Sequence, residues 1–474
     1  MKVRYSWLIL LLAWFQVSCK TYYQANHKFN LSYEAGNMEA ADRILEKNKK
    51  MAKSNAKLLY FMNRGLVSSM LGNYEESNTY FERAYVLAED YRKNPFQVAA
   101  SFLVNPKLVD YQGEDHEILF INYYKALNYL YLNDPEAALV EVRRMEILLN
   151  RLSDKYSSDK KFQRDAFIHL LMGLIYDAND EYNDAFIAYR NAYEVYSEDY
   201  LDMFGLGVPE QLKEDLLRTA YLSGLRSELA FYEEAFHTDY VHKPEQGGEL
   251  IMLWNNGLGP VKSEWGLNFT VVHGQNGLVT FVNESQNMSF PFMLGSNNDE
   301  DKKTTLERLE FFRVVFPRYV ERQEVFTRGE ILANGRHYKL EKAEDINAIA
   351  FKTLQQRMAK ELSQGLLRAA LKKGAEYALR EEDETMGSIL GIINAVTEQA
   401  DTRNWQTIPH SIYYTRVPMQ PGQQDVSMVL RSEKGREDVR QFTFTIKEGK
   451  TTFFSFRSLE ASYSPSSYYS TAPN

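Results

Sequence analysis

The sequence predicts two architectures in series: an α-helical solenoid over the first half, then a mixed α/β domain that is β-rich with two helices. Three observations carry this reading. A spacing of small and bulky residues recurs at helical period in the first half. After "HKPEQGGE" the composition turns to β-branched and aromatic runs punctuated by Gly and Asn. A chain of 474 residues also exceeds what one ordinary core organises. The boundaries that follow are a leader over 1–18, a helical repeat domain over 19–243, a mixed α/β domain over 244–460 and a disordered tail over 461–474.

In the first half, Gly65 is followed at fixed offsets by Tyr74, Ser77, Phe81 and Ala84, and Gly173 at the same offsets by Tyr182, Ala185, Tyr189 and Ala192. A degenerate copy runs Ala126, Pro135, Ala138, Val142, Met145, and a partial one Gly36, Met38, Ala41, Leu45. Small residues let two antiparallel helices approach, and the larger ones fill the gap to the next pair. This spacing resembles the tetratricopeptide repeat (TPR), so the expected fold is an irregular TPR-like solenoid. Insertions at Lys93–Glu117 and Ser197–Asp215 break the register before a final helical pair. The resemblance implies a concave groove that holds a peptide or a partner helix.

In the second half, "NNG" (Asn255–Gly257) reads as a turn and "RVVFPRYVER" as a strand in which Pro317 argues for an edge or a bulge. Ile346, Ile349, Ala350, Leu354, Met358, Leu362 and Leu366 form one helical stripe. A second helix is expected over 386–403, with Gly387 and Gly391 allowing close packing. "SIYYTRVPM", "DVSMVLRS", "RQFTFTIKEG" and "KTTFFSFRSL" read as strands of a small antiparallel unit.

Lys2 and Arg4, a short apolar run and then "QVSC" have the order of a signal peptide, and Ser18-Cys19 resembles a bacterial lipobox. Cys19 is the only cysteine, which rules out an internal disulfide or a Cys-rich metal site and makes Cys19 the expected lipid attachment point. Lys20 follows it, which favours the periplasmic face of the outer membrane. Net charge is −9 with pI near 5.6, against a nucleic-acid role. The densest basic run, Lys47–Lys57, reads as a solvated helix face.

"LWNNGLGPVK", "RVVFPRYV", the stretch beginning "EDINAIAF" and "VTEQADTRNWQTIPHS" occur in the same order in an uncharacterised family of bacterial repeat-bearing lipoproteins, which this chain resembles. Asn256, Gly257, Pro260, Lys262, Asp345 and Pro409 belong to those motifs. The resemblance implies a scaffold in cell-envelope assembly or maintenance, with protein partners on the repeats and a lipid anchor in the membrane.

The chain has no Gly-x-Ser-x-Gly elbow, no phosphate loop and no His-Glu-x-x-His helix, and its eight histidines are scattered. No catalytic residue, cofactor or metal is therefore expected. The densest cluster of polar groups is Glu398, Asp401, Arg403 and Trp405. Glu398 and Asp401 would share the last turns of a helix, with Arg403 pairing to either and Trp405 opening a strand that ends at Pro409. Acid–base work would need one carboxylate desolvated. The blander reading is a joint from helix to strand anchored by Trp405. A glycan- or peptidoglycan-binding or -processing C-terminal domain is the alternative to the scaffold.

Overall fold

The computed structural model describes residues 21–93, 107, 109–155, 164–242, 247–274, 278–286, 288–293, 311–356, 358, 365–366 and 400–461. Cys19, Glu398, the tail and most of the expected second helix lie outside them.

The first half is a stack of helical hairpins. A short turn α1 (Tyr22–Ala25) leads into α2 (His27–Glu34) and α3 (Met38–Lys47). Then come α4 (Lys57–Met70) with α5 (Tyr74–Lys93), α6 (Asp115–Tyr131) with α7 (Pro135–Lys155), and α8 (Ala166–Ala178) with α9 (Tyr182–Val195). After the one-turn α10 (Leu201–Phe204), α11 (Glu210–Leu222) and α12 (Arg226–Phe236) close the stack. The repeat spacing works as packing. A Cβ on Gly65 would sit 2.7 Å from the Phe81 ring, and one on Gly173 would sit 2.4 Å from the Tyr189 ring. Only the missing side chain lets each hairpin close, and Ser77 Oγ adds a 2.7 Å bond to the Gly65 carbonyl.

The second half corrects the expected mixed α/β domain. It is β-rich, built on a nearly closed, barrel-like seven-stranded sheet and a separate four-stranded sheet. The strands are β1 (Gly248–Asn256), β2 (Val261–His273), β3 (Leu278–Asn283), β4 (Met288–Met293), β5 (Phe311–Val320), β6 (Arg328–Ala333), β7 (Arg336–Asp345), β8 (Ser411–Met419), β9 (Gly422–Arg431), β10 (Glu437–Ile446) and β11 (Thr451–Arg457). The large sheet runs β10-β9-β6-β7-β8-β1-β11 and the small one β4-β3-β2-β5, which places Pro317 on an edge strand. The unit is not purely antiparallel either, since β1 and β11 pair in parallel. A helix starts at Ile346 and is described over 346–356. Residues 401–405 are irregular rather than the end of a second helix, and no strand spans Trp405–Pro409. Asn255 and Asn256 belong to β1, and the chain turns at Gly257, φ +63°.

All nine residues of β1 are buried. Side chains alternate across a strand, so Leu250, Met252 and Trp254 point into the barrel with Tyr413, Val417 and Met419. Ile251 and Leu253, with Ile412 and Tyr414 of β8, point the other way into one core shared with α4, α6, α8 and α9. The two halves are therefore fused through a common apolar layer.

Candidate interaction surfaces

The inner helix of each hairpin faces the β half. Every residue of α6 from Asp115 to Asn128 is buried, whereas α12, at the end of the stack, buries only Tyr232. What fills the expected groove is the chain itself, and residues 402–410 are buried throughout. Tyr33 Oη donates to the Thr407 carbonyl at 3.0 Å, Thr407 Oγ1 to Asn63 Oδ1 at 2.8 Å, and the Tyr22 N–H to Thr402 Oγ1 at 3.1 Å. The Trp405 N–H donates to Glu117 Oε1 at 2.6 Å, while its ring, fully buried, lies 5.9 Å from that of Tyr124 and 6.1 Å from that of Phe81. The indole N–H finds no acceptor among the described residues.

Asp401 and Arg403 are two residues apart on irregular backbone and form a two-pronged pair, Nε–Oδ1 2.8 Å and Nη2–Oδ2 2.7 Å. Arg403 Nη1 then reaches the Asn55 and Val109 carbonyls at 2.8 and 2.9 Å, and the guanidinium lies over the Tyr111 ring at 5.3 Å. Arg403 thus ties this segment to the loops preceding α4 and α6.

The motif residues near 256–262 lie beside the same segment. The Gly259 N–H donates to the Ile408 carbonyl at 2.7 Å, next to buried Pro409, and the His410 N–H to the Asn256 carbonyl at 2.9 Å. Asn404 bridges the two stretches, donating to the Pro260 carbonyl at 2.7 Å and accepting from the Lys262 N–H at 3.2 Å. Asn256 Nδ2 donates to Glu324 Oε1 and the Phe326 carbonyl, at 2.8 and 2.7 Å. Gly257 sits against His410, whose Cβ would lie 3.2 Å from an added one. Lys262 pairs with buried Glu114. Asp345 caps the helix at 346 through the Ala348 N–H, 2.9 Å, and holds Lys342 at 3.3 Å.

Three further residues at this junction, Arg322, Glu117 and Arg416, carry no motif in the sequence. Arg322 is almost fully buried, donating to the Gly259 and Gln406 carbonyls and pairing with Glu34 at 2.9 Å. Glu117 accepts from Tyr111 Oη at 2.7 Å and the Glu114 N–H at 3.1 Å; burial, then the Glu114 charge, pushes its carboxyl up to about 7, against Lys262. Arg416 of β8 meets Asp177 of α8 at 2.7 Å, Asp215 of α11 at 2.8 Å and Glu249 of β1, all buried, with Tyr189 Oη at 3.1 Å. A signal for Arg416 existed, because it stands in register with Ile412 and Tyr414 on an apolar face, where a lone Arg requires buried partners.

The outer side of the stack is open. A groove of about 960 Å³ runs along α5 and α7, with Phe61, Val86 and Leu132 as its apolar wall. Val86 is 48% and Leu132 38% exposed. Glu82, Lys125, Glu141 and Arg144 form its ionic floor, Lys125–Glu141 at 2.9 Å and Arg144–Glu82 at 3.2 Å. Among the described residues no group of three or more His, Cys, Asp or Glu is placed to hold a metal ion, and no helix is long and apolar enough to cross a membrane.

No family profile matches the chain, and no curated protein does. Solved structures overlap it over less than half its length. They include MamA (15% identity, 44% of this chain and 90% of that one, TM-score 0.28) and BtubC from P. vanneervenii (13%, 46% and 82%, TM-score 0.30). A tetratricopeptide repeat protein from Parabacteroides merdae overlaps similarly (12%, 46% and 79%, TM-score 0.20).

Proposed function

We propose that this chain is a protein-interaction scaffold of the cell envelope, held to the outer membrane through a lipid on Cys19, whose partner binds the outer groove of the helical stack. The observation that supports the reading is the groove itself. With the inner face taken up by the chain's own 402–410 segment, the α5–α7 side is where the hairpins present apolar wall and fixed charge together. A groove of this kind suits an amphipathic helix, whose apolar side chains meet Phe61, Val86 and Leu132 while its charges meet Glu82 and Arg144. The leader and the lipobox-like Ser18-Cys19 support the anchor.

The test places a photo-crosslinking amino acid at Thr79 or Val86 in cells, with Lys339, an exposed residue of β7, as control. One discrete adduct from the groove positions alone is expected. No adduct, or the same adducts from Lys339, refutes the groove. Separately, Cys19→Ser is expected to move the protein from the membrane to the soluble fraction, and unchanged membrane retention refutes the anchor.

A further inference from the structure

We propose that the seam between β10 and β11 accepts an extended peptide strand from a protein partner, hydrogen-bonded to the edge of β11 that faces away from β1 and carrying a carboxylate for Arg457. The strands β10 and β11 are consecutive, joined only by residues 447–450, yet they stand at opposite ends of the seven-stranded sheet with no ladder between them. Their side chains still meet inside the barrel, Phe442 and Phe454 at 5.0 Å and Phe444 and Phe454 at 5.1 Å between ring centres. The barrel is thus filled beneath the seam, and no strand among the described residues pairs along it.

Backbone direction at the seam follows from the β1 ladder. The Glu249 N–H donates to the Lys450 carbonyl and the Ser458 N–H to the Asn255 carbonyl. In a parallel pair, alternate residues of a strand bond to the same neighbour, so Lys450, Thr452, Phe454 and Phe456 face β1. Thr451, Phe453, Ser455 and Arg457 turn their peptide groups toward the seam. At Ser455 that N–H is met by a side chain, Tyr131 Oη at 2.8 Å, in the place a strand's carbonyl would take. A cavity of about 410 Å³ follows this edge and touches every residue from Phe453 to Arg457, hence both faces of β11. A β-branched and aromatic edge with no ladder partner among the described residues is an invitation to strand addition.

Charge selects the occupant. Among the described residues Arg457 is the only charged one lining the cavity. Its Nη1 donates to Tyr124 Oη at 3.2 Å and its Nη2 to the Thr407 carbonyl at 2.8 Å, while Nε is buried without a partner among the described residues. Each terminal nitrogen uses one of its two N–H bonds in this way, which leaves one on each for a carboxylate. The aromatic wall, with Tyr74 and Tyr131 stacked at 4.8 Å, takes the large apolar side chain beside it. The inference rests on the scaffold reading only in taking the partner to be a protein. A failed groove crosslink with seam binding intact would remove the groove alone.

The probe is a fluorescein-labelled octapeptide of alternating phenylalanine and threonine with one central glutamate, titrated into the full chain and followed by anisotropy and by hydrogen exchange. Saturable binding is expected, with slower exchange across 451–457. N-methylation of alternate peptide bonds should abolish binding, because it removes the edge hydrogen bonds and keeps the side chains. Glutamate to glutamine in the peptide should weaken binding about tenfold in the wild-type chain but not in Arg457→Met. Because the glutamine and N-methyl peptides are compared on the same wild-type protein, a folding defect in the variant cannot mimic the result. Binding that ignores N-methylation, or that treats glutamate and glutamine alike, overturns the proposal. So does laurate binding without peptide binding, which would assign the cavity to a small amphiphile. Self-association that protects 451–457 in the absence of peptide would assign the seam to a second copy and overturn it too.

Discussion

Replacing Arg416 by Met tests whether the two halves stand or fall together. The guanidinium is buried between α8, α11, β1 and β8, and methionine keeps most of its length while removing its charge. Among the described residues Asp177 and Asp215 then keep Arg218 as their cation, paired with Asp177 and 3.6 Å from Asp215, while Glu249 keeps the Thr451 hydroxyl and no cation. Breaking a buried pair from one side costs about 3–5 kcal/mol, since the remaining charge stays desolvated, out of a total stability of about 5–15 kcal/mol. Burial already pushes the Asp215 carboxyl up to about 6, against Arg416 and Arg218, so losing Arg416 raises it further. The deficit of the variant should therefore be largest near neutral pH and shrink as the orphaned carboxyls take up protons on acidification. Adding Asp215→Asn should restore part of it. The assay is urea unfolding followed by far-ultraviolet circular dichroism, weighted to the helices, and by tryptophan fluorescence, to which buried Trp254 and Trp405 contribute. The two midpoints should fall together. A loss under about 1 kcal/mol, the size of an exposed pair, would refute the argument, as would separate transitions for the two probes.

Three further changes test other parts of the fold. Asp165 caps α8 through the Ile168 N–H at 3.0 Å, and burial pushes its carboxyl up to about 6. An acid raised on folding stabilises below its unfolded pKa and loses that contribution as pH rises through the folded one, a span worth about 3 kcal/mol here. Asp165→Asn keeps the cap and removes the titration, so the variant should gain on the wild type between about pH 4 and 6.5, and parallel pH profiles would contradict this. Gly173→Ala places a Cβ 2.4 Å from the Tyr189 ring and should cost about 1–3 kcal/mol in thermal unfolding; a neutral effect would mean that the α8–α9 hairpin opens easily. Trp405→Ala should cost about 3–5 kcal/mol, while Trp405→Phe should cost clearly less because it also removes a buried N–H that has no acceptor among the described residues. Equal losses in urea unfolding would count against the packing account.

The repeat was legible because its packing partners lie a fixed, short distance apart in sequence, so Gly65 under Phe81 and Gly173 under Tyr189 leave a local signature. The barrel-like sheet leaves none. Glu249 pairs with Thr451 and Gly329 with Leu430, and neither partner is written near the other. The stretch from Asp401 to His410 misleads for a related reason. Its charged and aromatic residues suggest a helix end meeting a strand, yet the backbone takes neither form. Its polar groups find Glu117, Asn63, Tyr33 and Arg322 instead, partners distant in sequence. Arg322 passes for a solvent-facing strand residue until the covering helices are known, whereas Arg416 betrays itself by standing in register with Ile412 and Tyr414.

The same segment changes what the helical half can be asked to do. A free solenoid can lose its cargo and keep its fold, but here the material in the groove also completes the core. Ile251, Leu253, Ile412 and Tyr414 lie in one apolar cluster with Ile118, Ile121 and Leu170. Deleting the helices would strip β1 and β8 of their cover and expose an apolar sheet face, so such a variant would report on folding and aggregation rather than on a partner. Binding must instead be probed by single substitutions on surfaces the fold leaves open: the α5–α7 groove, where Val86 and Leu132 face outward, and the β11 edge, where Arg457 and Tyr131 stand. Neither set lies within residues 402–410, but Arg457 donates to the Thr407 carbonyl there, so stability must be measured beside binding. A change at either surface that abolishes a contact at unaltered stability would therefore separate recognition from architecture.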